Sequence, residues 1–356
     1  MPADLGSTLV RNLTTDGVKR LRSRGNLAIL RSHMRNEDSP RRETIAESML
    51  DLVGTTPMVR LRRVIVAGGS EVIVKLESLN PAGSVKDRIA VAMIEAAERE
   101  GRLKPGDTIV EPTSGNIGIG LAFAAAVKGY RLIITMPDDS SVERRRLIEH
   151  YGAQVVLTPG RKLMQGAVER AQKITQENPH CFMPQHFDNP ANPQVHRETT
   201  AQEILRATGG RLDAFVAGVG TGGMITGVGQ VLRAAVPELF IAAIEPAESC
   251  VLSGGPAGPH RIAGIGAGFV PTVLDRECID EVLVCEEDVA FAMAERLARE
   301  EGISAGLSGG AAVWGALEVA KRLGPGKRVI TVISDTWDRY ISLDRQRPIA
   351  GVDFII

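Results

Sequence analysis

From about residue 45 onwards, short β-branched runs alternate with longer helical stretches, and this alternation limits the folds open to the chain. The sequence predicts strands at 71–77, 107–111, 131–136, 153–157, 214–217, 240–245 and 328–334. It predicts helices at 88–100, 118–128, 142–150, 162–176, 223–235, 286–301 and 309–323. Such alternation is typical of mainly parallel sheets covered by helices on both faces. We therefore expect an α/β protein with doubly wound, mainly parallel sheets.

Length and one proline-rich segment divide this pattern into two predicted domains. A chain of 356 residues exceeds what one hydrophobic core usually covers. The segment 184–193 (PQHFDNPANP) is polar and rich in proline, as domain crossings often are. We expect an N-terminal α/β domain at 80–190 and a C-terminal α/β domain formed by 46–79 plus 191–356.

Residues 1–45 precede the regular pattern and form a predicted basic extension. Residues 1–42 contain nine Lys and Arg side chains against four Asp and Glu, although the whole chain has a net charge of −1. We expect a solvated arm or a helix that docks on a partner subunit. An Arg-rich organellar presequence is the alternative, and Asp4 and Asp16 count against it. The segment has no apolar core of the secretory type, which favours a cytoplasmic protein.

Composition excludes several classes of function. A net charge near zero argues against a nucleic-acid partner bound through bulk charge. No apolar run approaches the roughly 18 residues that a membrane helix needs. The cysteines lie far apart without a CxxC pair, which predicts neither a disulfide framework nor a metal cage; they are Cys181, Cys250, Cys278 and Cys285.

Three strand-to-helix turns carry residues suited to chemistry, because ligands of such folds bind where strands end. In the first turn, 77–88 (ESLNPAGSVKDR), Ser84 caps a helix and Lys86 lies in its first turn. The field at a helix N-terminus lowers the pKa of an amine, which suits a nucleophile or a base. A solvated lysine paired with an acidic residue is the alternative.

The second turn, 111–118 (EPTSGNIG), offers hydroxyl, amide and backbone N–H groups at a helix start. Thr113, Ser114, Gly115 and Asn116 would make a cradle for a carboxylate, although a simple capped turn has the same composition.

The third turn, 218–223 (GVGTGG), is a glycine loop that could bind a phosphate at a helix N-terminus. Gly218, Gly220 and Gly223 also satisfy the dinucleotide fingerprint, and Glu245 ends the next strand where a ribose-binding acid would lie. An NAD-dependent oxidoreductase is therefore a rival interpretation. It leaves the first two turns without a role.

Five motifs in this order resemble the cysteine synthase (O-acetylserine sulfhydrylase) and cystathionine β-synthase family of fold-type-II pyridoxal-phosphate enzymes. They are SLNPAGSVKDR, EPTSGNIGIGLA, AGVGTGGMITG, RIAGIGAGFVP and EGISAGLSGGAA, and the resemblance covers about residues 46–345. It implies that pyridoxal 5'-phosphate lies in a cleft between the two α/β domains.

The resemblance also implies a role for each matching residue. Lys86 would form the Schiff base with the cofactor and act as the general base, and Asn116 would bind the ring 3′-oxygen. Thr336 would face the pyridine nitrogen. The cofactor phosphate would be bound by Gly220, Thr221, Gly222 and Gly223. The substrate would be bound by Thr113, Ser114, Gly115, Asn116, His186 and Gly264.

The implied reaction is a β-replacement on an activated L-serine through an α-aminoacrylate. O-acetyl-L-serine is the favoured donor, and the product is L-cysteine from sulfide or a related β-substituted alanine. O-phosphoserine or serine with another nucleophile stays open, as does a non-catalytic paralogue. Two departures bear on this choice: Met224 stands where the family commonly has threonine, and His186 where it commonly has glutamine. No arginine lies in 262–269, although Arg261 adjoins it.

The implied partners are small molecules and other copies of the chain. The resemblance implies a homodimer. It also implies a serine acetyltransferase-type partner, since cysteine synthases accept a partner's C-terminal isoleucine in the active site.

Overall fold

The structure is a computed structural model that describes residues 45–65 and 67–344. The chain divides into a first unit, residues 1–46, and a second unit, residues 47–356. Only residues 45 and 46 of the first unit are described. Apart from its last residue, the predicted basic extension at 1–45 therefore lies outside the described residues, and every element below belongs to the second unit.

The described residues contain ten strands. They are β1 (Met58–Arg60), β2 (Glu71–Leu76), β3 (Thr108–Pro112), β4 (Arg131–Pro137), β5 (Gln154–Thr158), β6 (Cys181–Phe182), β7 (Ala214–Gly218), β8 (Phe240–Pro246), β9 (Glu281–Cys285) and β10 (Arg328–Ile333). They form two sheets: a larger one in the order β1-β2-β10-β7-β8-β9 and a smaller one in the order β5-β4-β3-β6. Only β1 pairs antiparallel, with β2; the other described pairs are parallel.

Ten α-helices connect or follow these strands in the described part of the chain. They are α1 (Lys86–Arg99), α2 (Asn116–Lys128), α3 (Val142–His150), α4 (Leu163–Glu177), α5 (Ala191–Val195), α6 (Ala201–Thr208), α7 (Gly223–Ala235), α8 (Glu287–Arg296), α9 (Leu307–Leu323) and α10 (Ile341–Asp344). A π-helical turn, His196–Thr200, joins α5 to α6, and another, Leu297–Glu301, extends α8. None of the described helices is long and apolar enough to span a bilayer.

Helices cover both faces of the larger sheet because successive side chains of a strand point to opposite faces. In β7, Val216 packs in a cluster with Val313 of α9, whereas its neighbour Phe215 packs with Val228 of α7. A parallel strand buried on both faces reads as a continuous apolar run, as AFVA does here.

The smaller sheet is built in the same way. In β3, Ile109 packs with Ile119 of α2, and Val110 packs with Ala171 of α4 on the other face. The predicted fold class, a doubly wound and mainly parallel α/β architecture, is therefore confirmed.

The two sheets draw on the predicted domain ranges. All strands of the smaller sheet lie within 80–190, and those of the larger sheet lie within 46–79 and 191–356. Because residues 47–356 group as one unit, the division into two domains stays a prediction. Helix α5 packs against both α1 and α7, so the proline-rich segment leads into a helix that contacts both halves.

Candidate functional site

The predicted turns lie at the carboxyl ends of parallel strands, where α/β proteins bind ligands. Strand β3 ends at Pro112 before the Thr113 turn, and β7 ends at Gly218 before the glycine loop. The end of β10 contributes a further segment, because Ser84, just before α1, forms an isolated bridge with Asp335. Residues from both sheets therefore meet at one place.

One cavity collects half of the predicted ligand-binding residues. Its lining includes Lys86, Asn116, Gly220, Thr221, Gly222 and Gly264. It also includes side chains that sequence reasoning did not assign: Ile89, His196, Ile265, Ser308 and Ser334. The predicted residues outside this lining are Thr113, Ser114, Gly115, His186, Gly223 and Thr336.

Lys86 is half-buried at the start of α1, where its backbone N–H donates to Ser84 Oγ at 3.2 Å. Burial lowers the pKa of the Lys86 amine, although the carboxylates of Asp335, Asp87 and Glu77 act in the opposite direction. The sequence attributes a lowered pKa of Lys86 to the field of the helix. In the structure the main cause is loss of hydration, which favours the neutral amine. A neutral amine can act as a nucleophile or a base.

Asn116 is held at both ends of its amide group. Its Nδ2 donates to Asp335 Oδ2 at 2.6 Å, and its Oδ1 accepts from Arg339 Nη1 at 2.8 Å. An amide nitrogen carries two protons, so one Nδ2–H stays available to a ligand. Motif reading did not find Asp335 and Arg339, because they follow β10 and lie more than 200 residues away in the chain.

The Thr113 turn is packed tightly at the N-terminus of α2. Thr113 Oγ1 accepts from the Gly115 N–H at 3.1 Å, and Arg144 Nη1 donates to the Ser114 carbonyl at 3.4 Å. A Cβ on Gly118 would lie 2.9 Å from Ile148 Cδ1 and 3.0 Å from Thr113 Cγ2. Of this turn, Asn116 is in the cavity lining, whereas Thr113, Ser114 and Gly115 precede it in the chain and are not part of the lining. A helix start of this kind suits a carboxylate.

The glycine loop at the N-terminus of α7 packs too closely against neighbouring segments to hold side chains at Gly220 and Gly222. A Cβ on Gly220 would lie 2.2 Å from the Gly264 carbonyl oxygen, and Gly222 has a φ of +81°. The Thr221 hydroxyl accepts from Asn192 Nδ2 at 3.0 Å, so its own proton is available to a ligand. This donor set fits a phosphate group, which helix N-termini bind through backbone N–H groups.

His186 pairs with Glu111 at the end of β3. Its ring Nδ1 lies 2.5 Å from Glu111 Oε1, and its backbone N–H donates to the same oxygen at 2.9 Å. The ring also lies 4.3 Å from the Phe187 ring, measured between centroids. The His186 carbonyl accepts from Asn192, which in turn contacts Thr221. The pair thus links the start of the Thr113 turn to the glycine loop.

Comparison with known proteins identifies the family. The family described as "Pyridoxal-phosphate dependent enzyme" matches residues 49–335. The chain belongs to this family. Its cofactor is therefore pyridoxal phosphate, and the glycine loop, the lowered pKa of Lys86 and the oriented Asn116 amide fit that group. The resemblance inferred from the five motifs and the expected cofactor are confirmed.

Among the similar proteins are cysteine synthases and an O-ureido-L-serine synthase. A cysteine synthase of Staphylococcus aureus (strain Mu50 / ATCC 700699) is 53% identical over 297 residues, which are 83% of this chain and 96% of that protein. A crystal structure of O-ureido-L-serine synthase has 47% identity and a TM-score of 0.83, covering 87% of this chain and 98% of the other. The cysteine synthase of Entamoeba histolytica has 40% identity and a TM-score of 0.83, covering 88% and 95%.

Membership of this family overturns the NAD-dependent alternative, and the structure shows why the fingerprint is misleading. Glu245 is buried, and its two carboxylate oxygens accept the backbone N–H groups of Leu252 and Ser253 at 2.8 and 2.9 Å. This carboxylate caps an internal loop, so it is already occupied and does not await a ribose.

Thr336 lies outside the lining of this cavity, and its contact with the pyridine nitrogen stays a prediction. It lies at the start of the turn Trp337–Tyr340, after the chain has left β10. Besides Thr221, the side-chain hydroxyls in the lining belong to Ser308, in the first turn of α9, and Ser334. Ser308 belongs to the motif EGISAGLSGGAA, which therefore contained the signal without an assigned role.

No group of three or more His, Cys, Asp or Glu side chains among the described residues is arranged to hold a metal ion.

Proposed function

We propose that the protein catalyses a β-replacement on O-acetyl-L-serine that forms L-cysteine from sulfide. The observation that carries this proposal is the meeting of Lys86, Asn116 and the glycine loop around one cavity bordered by both sheets. The 53% identity to a cysteine synthase supports the choice of product.

The division of labour between cofactor and protein follows from the site. When bound, pyridoxal phosphate supplies the electron sink for charge that develops at the substrate Cα. The Lys86 amine, with its pKa lowered by burial, takes the proton from Cα and returns it after the nucleophile has added at Cβ. Asn116 orients the ring through its remaining Nδ2–H.

The Thr113 turn is proposed to bind the substrate carboxylate. Thr113 and Ser114 present hydroxyl groups just before α2, where the helix field favours a negative charge, and the Gly115 N–H holds Thr113 Oγ1 in place. Movement of this turn over the substrate would exclude water from the reacting Cβ. His186 is proposed to support the turn through Glu111.

The environment of Arg261 favours an acetyl over a phosphoryl leaving group. Arg261 Nε lies 2.6 Å from Glu287 Oε2, and the guanidinium stacks over the Phe291 ring at 4.8 Å. A guanidinium already paired with a carboxylate is a poor partner for a second anion. Of the donors that the sequence left open, O-acetyl-L-serine therefore fits better than O-phosphoserine.

A second candidate product is O-ureido-L-serine or a related β-substituted alanine. It is favoured by the 47% identity to O-ureido-L-serine synthase. Its formation on the same donor requires hydroxyurea as the nucleophile.

The experiment combines the purified holoenzyme with either O-acetyl-L-serine or O-phospho-L-serine and with either sulfide or hydroxyurea. We expect L-cysteine from O-acetyl-L-serine and sulfide at the highest kcat/KM, and no product with Lys86→Ala. A higher kcat/KM with hydroxyurea would transfer the assignment to the second candidate. Equal turnover by Lys86→Ala would contradict both.

The assembly and location remain proposals. A homodimer, a cytoplasmic location and a serine acetyltransferase-type partner are what the family resemblance implies. Light scattering of the purified protein tests the homodimer, and a molecular mass equal to that of one chain would contradict it.

A further inference from the structure

His196 is a buried histidine in the lining of the cofactor cavity, and sequence reasoning gave it no role. It is fully buried, at 0% exposure, in the π-helical turn that follows α5. Its backbone lies close to the first turns of α7, because a Cβ on Gly227 would be 2.8 Å from His196 Cβ. Glycine at 227 thus allows His196 to approach the helix whose N-terminus carries the glycine loop.

The two ring nitrogens of His196 have different surroundings. Nδ1 lies 2.9 Å from Thr200 Oγ1, within hydrogen-bond distance. Nε2 is buried and has no partner among the described residues. Buried polar atoms are seldom left without a hydrogen bond, because desolvation without compensation is costly. An unpaired nitrogen in the lining of a ligand cavity therefore points to a ligand atom.

The protonation state of the His196 ring follows from its surroundings. Burial, with the positive charges of Arg88 and Lys86, lowers the pKa of His196 to about 3 in spite of Glu77 and Glu203. The ring is therefore neutral at pH 7 and carries one proton. If the Thr200 hydroxyl donates to Nδ1, that proton lies on Nε2, which then faces the ligand as a donor.

His196 and the glycine loop line the same cavity, in which side-chain donors for a phosphate are few. Within the glycine loop the side-chain hydroxyl comes from Thr221, whereas Met224, one residue into α7, offers none. The only Lys or Arg in the described lining of this cavity is Lys86, which is assigned to the cofactor aldehyde. The phosphate must therefore be bound by neutral N–H and O–H groups.

We propose that His196 donates a hydrogen bond from Nε2–H to the cofactor phosphate and so supplements the backbone N–H groups of the glycine loop. The proposal rests on pyridoxal phosphate as the cofactor and does not depend on whether sulfide or hydroxyurea is the second substrate.

The test compares the dissociation constants of pyridoxal phosphate and of pyridoxal, which lacks the phosphate. The variants are His196→Met, which fills a similar space without an N–H group, and His196→Gln, which retains one. We expect His196→Met to weaken pyridoxal phosphate binding about 10- to 100-fold, the usual range for a hydrogen bond to a charged group, and to leave pyridoxal within twofold. His196→Gln should recover part of the loss. His180→Ala, which removes an exposed histidine outside the cavity lining, is the matched control.

Two further measurements keep the proposal falsifiable. Met224→Thr adds a hydroxyl to the phosphate site and should restore part of the affinity in the His196→Met background. In the wild-type holoenzyme, nitrogen NMR should show the His196 proton on Nε2. An equal loss for pyridoxal and pyridoxal phosphate, an unchanged affinity for both, or a proton on Nδ1 would each overturn the assignment. If any of these results is obtained and the protein still binds pyridoxal phosphate through Lys86, the proposal for His196 fails and the proposed function stands.

Discussion

Among single residues, either Ser308 or Thr336 could place a hydroxyl beside the cofactor ring, and mutation of each residue distinguishes the two. Ser308 lines the cavity and Thr336 does not. We predict that Ser308→Ala shifts the visible absorbance of the bound cofactor and lowers kcat at least tenfold, because a hydroxyl beside the ring tunes its electronics. Thr336→Val should leave both unchanged. The opposite result would return the ring contact to Thr336.

Asp87, next to Lys86, gives a prediction about pH. Burial raises the pKa of Asp87 to about 7, although the Ala82 N–H at 2.6 Å and Arg339 oppose the shift. Because the native state then holds a proton that the unfolded state loses at lower pH, the free energy of unfolding falls as pH rises from about 4 to 7. This contribution is complete at pH 4 and absent at pH 8.

Asp87→Asn should remove this dependence. We compare the free energy of unfolding of Asp87→Asn with that of wild type. The difference, variant minus wild type, should increase by about 4 kcal/mol at most from pH 4 to pH 8, since one pKa unit corresponds to about 1.4 kcal/mol. Urea unfolding of both proteins at the two pH values measures the difference. A difference that does not change with pH would contradict the assignment.

Motif reading picked out Lys86, Asn116 and glycines that line the cavity, and it gave no role to Asp335 or His196. Lys86, Asn116 and the glycines follow strand ends, so their exposure to a ligand is readable from the turn itself. Asp335 and His196 acquire their roles only when distant segments pack together. Nothing in the local sequence reports that contact.

Among the elements, the loop between β7 and α7 depends on the absence of side chains. We predict that Gly220→Ala weakens pyridoxal phosphate binding at least tenfold, because its Cβ would lie 2.2 Å from the Gly264 carbonyl oxygen and displace the loop. Equilibrium binding measures the loss. Gly129→Ala is the control, since Gly129 caps α2 with a φ of +77° and no atom lies within 4 Å of its Cβ position. It should lower the free energy of unfolding by about 1 kcal/mol and leave cofactor affinity unchanged.

Most strands of five or more residues and the longer helices were predictable, whereas the shorter elements were not. Strands β4, β7 and β10 are runs of five to seven residues whose ends match the prediction within one residue. Strands β1 and β6, of three and two residues, carry too little pattern to detect. Helix α6 buries Ala201, Ile204 and Thr208, and this narrow apolar stripe follows a segment whose composition suggested a loop.

For the whole molecule, a buried ion network joins the two halves. Glu203 of α6 accepts from Arg88 of α1 at 2.8 Å and from Lys75 of β2 at 2.6 Å, and Glu77 lies 2.7 Å from Arg88. Burial alone would raise the pKa of Glu203, but Arg88 and Lys75 lower it to about 2. The network therefore contributes stability above about pH 4.5 that is lost as pH falls towards 2.

Breaking this network should be costly. We predict that Glu203→Gln lowers the free energy of unfolding at pH 7 by about 3–5 kcal/mol, because it leaves buried positive charge without its partner. The loss should shrink at pH 3. Glu149→Gln, which removes an exposed pair with Arg145, should cost less than about 1 kcal/mol. Equal losses for the two variants in urea unfolding would contradict the role of the network.

The most direct measurement is a single turnover without the second substrate. Holoenzyme mixed with O-acetyl-L-serine, and with no sulfide present, should release about one acetate per cofactor, because elimination at Cβ precedes addition of the nucleophile. Lys86→Ala should release none, since no amine takes the proton from Cα. Acetate that appears only after a nucleophile is added, or equal release by Lys86→Ala, would contradict β-replacement at this site.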